Sequence, residues 1–230
     1  MKTLYVNGDS HSAQVYGTSG QSFAEQLADH FQVQLVNQAM PGGSNQRIIR
    51  TSSSDLRSLN PADTFVLIGW SSFERAEWYY DQVWHQLAGS DAYTLPDELI
   101  EIGQRHLENF HAGMAHCLNC HLEQHQAIWN FHNTLIAQGY QFLFFQGCET
   151  FFFDGLPEQD REFYMPWQPM SWAHNPYVTV RPDNSRYIES FSHLCRQQGF
   201  DHVDAYAHYG QDAHNYWADF LTPKIQNLLK

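Results

Sequence analysis

Two hydrophobic periods share the chain. Strands are predicted at 3–6 (Thr-Leu-Tyr-Val), 33–40 (Val-Gln-Leu-Val-Asn-Gln-Ala-Met), 63–70 (Asp-Thr-Phe-Val-Leu-Ile-Gly-Trp) and 140–147 (Tyr-Gln-Phe-Leu-Phe-Phe-Gln-Gly). The continuous apolar run of the last predicts a strand covered on both faces, as in a parallel sheet. Between them the apolar positions recur at helical spacing. Phe23, Leu27 and Phe31 predict a helix over 19–31, and Ile48, Ile49 and Leu56 predict one after the Pro41-Gly42-Gly43 turn. Residues 97–138 carry a long helical pattern, in one helix or two, and 184–198 and 211–229 read as helices. Residues 201–210 hold a last short strand or loop, while 148–182 are aromatic, proline-containing and irregular. Strand–helix alternation of this kind predicts a doubly wound α/β sheet. No linker splits it, so residues 1–230 are expected to form one domain, with a helical insertion at about 73–138 and a lid-like aromatic segment at about 148–182.

Charge and composition narrow the partners. Against 12 Lys and Arg stand 25 Asp and Glu, a net charge of −13 with histidine neutral. Such a surface repels phosphate backbones and anionic lipid, which argues against nucleic acid and membrane surfaces. The 14 histidines offset much of that charge only in acid. No apolar run approaches the roughly 18 residues of a membrane span, and the first strand is too short for a signal peptide. Four cysteines in 230 residues are not a secreted disulfide framework, so a reducing, cytoplasmic setting is expected.

The chemistry concentrates at the strand ends, where ligands of open α/β sheets bind. The first strand ends in Gly8-Asp9-Ser10-His11, the second in Asn37 and then Gly42-Gly43-Ser44-Asn45, the third in Gly69-Trp70-Ser71-Ser72. A serine nucleophile needs a base and oxyanion donors. Ser10, in a turn that Gly8 keeps tight, is the candidate nucleophile; backbone N–H groups there and at Gly42 are candidate donors, and a histidine from elsewhere would be the base.

In this order the blocks resemble the SGNH/GDSL hydrolases, flavodoxin-like three-layer α/β/α enzymes with a mainly parallel sheet, mostly esterases, lipases and carbohydrate acetyl-esterases. "NGDSHS" resembles the nucleophile block and gives Ser10 that role; "NQAMPGG" resembles the second block and puts Gly42 at the oxyanion glycine. The third block departs: where the family reads Gly-x-Asn-Asp, this chain has Ser71, so Ser71 or the nearby Asn45 would stand in as oxyanion donor. The last block, "AYAHYGQDAHNYWADFL", offers His208 as base, with Asp204 one residue behind the family's aspartate position, which is Ala205 here; Asp212 and His214 form the alternative pair. Asp9, His11, Gly43, Trp70 and Arg75 are expected to contact substrate. The resemblance implies hydrolysis of an acyl ester on a carbohydrate or small molecule, with no metal or cofactor. The rival expectation keeps the fold with catalysis weak or lost, as a glycan-binding or structural module, alone, as a homo-oligomer or in a phage-type assembly.

Two further signals stand apart. Cys117-x-x-Cys120-His121, with His116 or His125, has the spacing of a zinc site on one helix face, or of soft side chains packing inward. Gly-Asp-x-His also opens calcineurin-like metallophosphoesterases, but their downstream Gly-Asp-x-x-Asp and Gly-Asn-His-Asp blocks are missing from this sequence.

Overall fold

The computed structural model describes residues 1–73, 75–88, 95–113, 118–148 and 186–230, without the side chains of 109–113, 118–122, 125 and 187–189. Five strands form one parallel sheet: β1 (Thr3–Asn7), β2 (Gln34–Asn37), β3 (Thr64–Trp70), β6 (Gln141–Gln146) and β7 (Tyr187–Ser190), in the order β2-β1-β3-β6-β7. The order reverses direction at β1, so the β1 and β3 tips flank the switch point of a doubly wound sheet.

Alternation along each strand divides the core in two. Leu4 and Val6 of β1, Phe65 and Leu67 of β3, and Leu143 and Phe145 of β6 face one side. There they meet α2 (Phe23–Phe31), α6 (Phe191–Gln197) and α7 (Gln211–Leu228) through Phe23, Phe191 and Trp217. Tyr5, Val66, Ile68, Trp70, Phe142 and Phe144 face the other side, against Ile48 of α3 (Asn45–Asp55) and Ile128, Phe131 and Leu135 of α5 (Leu118–Gln138). The uninterrupted apolar runs are thus the two faces of one sheet, both covered, and the chain is a three-layer α/β/α protein.

The helices start where their sequences say. Ser22 caps α2 in a reciprocal capping box with Glu25, and Ser44 caps α3 by accepting from Arg47 N–H. A single helical turn, α1 (Ser10–Ala13), follows β1 directly, capped by the Asp9 carboxylate.

Two elements differ from the sequence expectation. The insertion after β3 does not start as helix: β4 (Ala76–Tyr80) and β5 (Val83–Leu87) form an antiparallel hairpin, followed by α4 (Asp97–Gly113) and α5. Asp81 and Gln82 both take positive φ, 46° and 62°, the two-residue turn that matches strand twist. The inner ends of the hairpin, Ala76 and Leu87, bury against Leu95, Leu99 and Leu107; the tip leaves Tyr79 and Trp84 exposed as a cross-strand pair. Arg50 ties the hairpin to α3, pairing with Glu77 and lying 4.2 Å over the Trp84 ring. The second difference is β7, a fifth strand where helix alone was expected. The lid-like segment lies outside the described residues apart from Cys148. No helix among the described residues is long and apolar enough to cross a membrane.

The layer beneath the sheet depends on Phe145, whose ring meets Trp217 at 5.3 Å and Phe23 at 5.8 Å. Phe145→Ala is expected to cost about 3–5 kcal/mol in urea unfolding. Val83→Ala, at the exposed hairpin tip, should stay within about 0.5 kcal/mol. Equal costs would contradict this division of the core.

Candidate active site

The site grows from the end of β1. Asp9, at the N-cap of α1, points its carboxylate inward, and Oδ1 accepts the His11 N–H at 3.0 Å. Oδ2 takes Nη1 of Arg75 at 3.2 Å and the Cys148 thiol at 2.7 Å. Arg75 Nη1 also donates to Ser71 Oγ at 2.8 Å. Residues from the tips of β1, β3 and β6 are joined through one buried carboxylate.

Close backbone packing makes room for this. A Cβ on Gly8 would stand 2.5 Å from Ser12 Oγ and 2.9 Å from the Gly69 carbonyl, and one on Gly147 would stand 2.6 Å from Asp9 Oδ1. Gly42 has φ +75°, a left-handed conformation that favours glycine. The loop carrying it folds against the same turn: Met40 N–H donates to the Gly8 carbonyl at 3.1 Å, and Asn37 Nδ2 to the Ser12 carbonyl at 3.0 Å. Among the described residues, the backbone N–H groups of Ser10 and Gly42 have no protein acceptor. They are donors without work inside the fold.

The late block places His208, the candidate base, beside a carboxylate. His208 Nδ1 lies 2.7 Å from Asp204 Oδ2. Asp204 Oδ1 accepts the backbone N–H groups of Tyr206 at 2.9 Å and His208 at 3.2 Å. Ala207 takes φ +63°, which winds the loop tightly enough for an aspartate four residues back to reach the imidazole. Partial burial pushes the Asp204 carboxyl upward, but the His208 ring and these two N–H groups outweigh it and hold the group below its ordinary value. Tyr16 completes the wall. Its ring stacks on His208 with centroids 3.6 Å apart and planes within 7°, and its hydroxyl is within reach of the Ser10 side chain. Ser10 and His208 therefore share one neighbour. Tyr16 was not singled out in the sequence; its position six residues past the serine in "GDSHSAQVYG" is the only local trace of it.

Several expected site residues have other positions. His214 is 1% exposed, accepts the Phe23 N–H at 3.2 Å, and stacks on the Phe23 ring. It is a core residue of α7 packed against the start of α2, and burial pushes its pKa down to about 3. Asp212 is exposed in the first turn of α7. Asn45 commits its amide to the Ser71 carbonyl at 3.1 Å and Gln124 Oε1 at 2.8 Å, while its Oδ1 takes the Ser71 N–H at 2.7 Å. It fixes the β3 tip and has no amide hydrogen left for an oxyanion. Trp70 faces the opposite core, 5.0 Å from Phe144, because β3 alternates and position 70 shares a face with 66 and 68. Asp9 is spent on its buried pairings, and Gly43 N–H closes the turn onto the Met40 carbonyl at 2.9 Å. His11 is 6% exposed, with Nε2 3.4 Å from Ser192 Oγ; burial lowers its pKa to about 4. Of the Cys-x-x-Cys-His stretch, Cys117 lies outside the described residues, as do the side chains of Cys120 and His121.

No protein-family profile matches the chain, and no curated protein matches it. Solved structures do. The YxiM protein of Bacillus subtilis superposes with a TM-score of 0.53 at 11% identity, over 98% of this chain and 56% of its own. TesA matches at a TM-score of 0.49 and 14% identity over 99% of both chains. Esterase EstA from Pseudoalteromonas sp. matches at 0.48 and 13%, over 100% of this chain and 99% of its own. The likeness to YxiM is one of fold. It agrees with the three-layer architecture and leaves the chemistry to the residues at the strand tips.

His214 generates a pH prediction. Its folded pKa lies below its unfolded value of about 6.5, so below that pH the unfolded chain binds the extra proton. Stability is then full above about pH 6.5 and falls as pH drops toward about 3, by up to about 1.4 kcal/mol per pH unit. His214→Asn keeps an acceptor for Phe23 N–H but cannot titrate. Chemical denaturation at stepped pH should show a shallower acid slope in the variant; an unchanged slope would contradict the assignment.

Proposed function

We propose that the protein is a serine ester hydrolase of the SGNH/GDSL type, with Ser10 as nucleophile, His208 as base and Asp204 as its orienting carboxylate. The observation that carries the reading is the 2.7 Å Asp204–His208 pair, whose imidazole stacks on the tyrosine that reaches Ser10. The order of the blocks in the sequence and the three-layer fold support it independently.

The chemistry follows from the geometry. With Nδ1–H donated to Asp204, the His208 tautomer leaves Nε2 as acceptor. Ser10 Oγ attacks the acyl carbonyl as His208 takes its proton, and the charged Asp204 stabilises the imidazolium. The oxyanion falls to the uncommitted N–H groups of Ser10 and Gly42. Ser71 is the candidate third donor: its Oγ accepts from Arg75, and its own hydrogen goes to no acceptor among the described residues. His208 then returns the proton to the leaving alcohol, and water, activated by the same imidazole, releases the acid. The Ser71 side chain is shorter than the family's asparagine and its oxygen is already held by Arg75, so turnover on simple esters is expected to be slow. The substrate class this supports is an acyl ester of a small molecule or carbohydrate.

The test is p-nitrophenyl acetate hydrolysis together with labelling by a fluorophosphonate. Ser10→Ala should lose both. His208→Ala and Asp204→Asn should lower kcat by about 10²–10⁴-fold, while His214→Asn stays near wild type. Background rates without labelling in the wild type would replace this reading with that of a binding module on the same fold.

A further inference from the structure

Beside the nucleophile lies a group of side chains that the ester chemistry does not use. One carboxylate oxygen of Asp9, one ring nitrogen of His11 and Sγ of Cys148 lie within 4.8 Å of one another. Asp9 and His11 are buried, and Cys148 is partly exposed. His11 Nδ1 is buried with no hydrogen-bond partner, a deficit that a fold normally avoids.

We propose that Asp9, His11 and Cys148 form a site for a thiophilic divalent cation, zinc above all, and that its occupancy inhibits Ser10.

The donor set decides the class of ion. Thiolate and imidazole select zinc and similar borderline ions over magnesium or calcium, and three protein ligands leave the fourth position to water. Burial keeps the imidazole neutral at ordinary pH, with a lone pair to give. Burial and the neighbouring carboxylate push the Cys148 thiol well above its ordinary value, so it is protonated in the ion-free protein. Binding exchanges that proton for the metal: the S–H bond breaks, a metal–sulfur bond forms, and the proton leaves to solvent without any change of oxidation state.

The geometry asks little of the chain. Zinc bonds of about 2.0–2.3 Å put tetrahedral ligands roughly 3.3–3.8 Å apart. The Asp9–Cys148 contact of 2.7 Å must therefore open as the ion replaces the shared proton, and the wider separations must close by about 1 Å. The opposing group is Arg75, 3.2 Å from the same Oδ2. Its Nη1 already holds a second acceptor in Ser71 Oγ at 2.8 Å, so it can yield the carboxylate. Competition from this guanidinium makes the site reversible rather than permanently filled.

The inhibition clause rests on the hydrolase reading; the binding clause does not. The His11 and His208 rings are 5.8 Å apart. A dication on His11 opposes the positive charge that His208 must take when it accepts the serine proton.

The experiment titrates Co²⁺ into the full-length protein and follows the near-ultraviolet thiolate-to-cobalt charge-transfer band. Wild type should show the band at one ion per chain, and Zn²⁺ should displace it. Cys148→Ala should lose the band. A Cys117→Ser/Cys120→Ser double variant should keep it. A band that survives in Cys148→Ala, or vanishes in the double variant, overturns the assignment, as does no band in the wild type. His11→Asn checks the second ligand should Cys148→Ala fail to fold; it should blunt the band likewise. In parallel, Zn²⁺ should reduce p-nitrophenyl acetate turnover several-fold in wild type, reversibly with a chelator, and leave Cys148→Ala unaffected. A band without inhibition sinks the regulatory clause alone. A band in a protein without esterase activity leaves the site standing and removes the hydrolase.

Discussion

The structure depends on one buried charge. The Asp9 carboxylate is fully enclosed, and an enclosed carboxylate is tolerated only when paired and hydrogen-bonded. Here it caps the turn that carries Ser10, takes the Arg75 guanidinium from beyond β3, and accepts the Cys148 thiol from the end of β6. Three strand ends are thereby fixed to each other, in addition to the backbone bond from Gly147 N–H to the Trp70 carbonyl that joins β6 and β3. Gly147 is part of the same constraint, since a Cβ there would occupy the space of Oδ1. The turn that carries Ser10 therefore cannot relax without unpairing a buried ion, which gives Ser10 a rigid footing at the switch point of the sheet.

The proposed catalytic arrangement diverges from the pattern it resembles in two places, and backbone geometry addresses both. The aspartate sits four residues before the histidine rather than three. The left-handed Ala207 and the Asp204-capped N–H groups turn the loop enough to restore a short contact. The asparagine after β3 is replaced by Ser71, whose backbone is held on both sides by Asn45. Asn45 thus serves the site by positioning rather than by donating. The division has a physical reason: an amide with both hydrogens committed holds a strand tip well, and it cannot also follow a developing charge.

Much of the fold was legible because it follows from local patterns. Continuous apolar runs gave β1, β3 and β6, and Phe23 and Leu27 gave the buried face of α2. The hairpin at 76–87 was not legible. Its turn is Asp81-Gln82 rather than an Asn-Gly or Asp-Gly pair, and its exposed Tyr79 and Trp84 blur the alternation that marks a half-buried strand. Strand β7 is four residues, half of them polar, and among the described residues pairs only with β6, so sequence offered too little signal to separate it from the helix that follows. Ser10 and Gly42 were legible as a motif in order. The partners of Asp9 were not: Cys148 lies 139 residues away, and only tertiary packing brings the two together.

Three histidines show why residue type alone could not assign the base. His11, His208 and His214 all belong to the blocks that carry the resemblance. His214 is enclosed between aromatic rings and an amide N–H, where a positive charge is excluded, and its pKa of about 3 makes it useless as a base at neutral pH. His11 is nearly as enclosed, but beside a carboxylate and a thiol, which suits a metal better than a proton. His208 alone combines an orienting carboxylate, a stacked aromatic wall and partial access to solvent. Environment sorts the three into a structural acceptor, the proposed metal ligand and the proposed base. What separates the three rings is what each is allowed to become when it meets a proton.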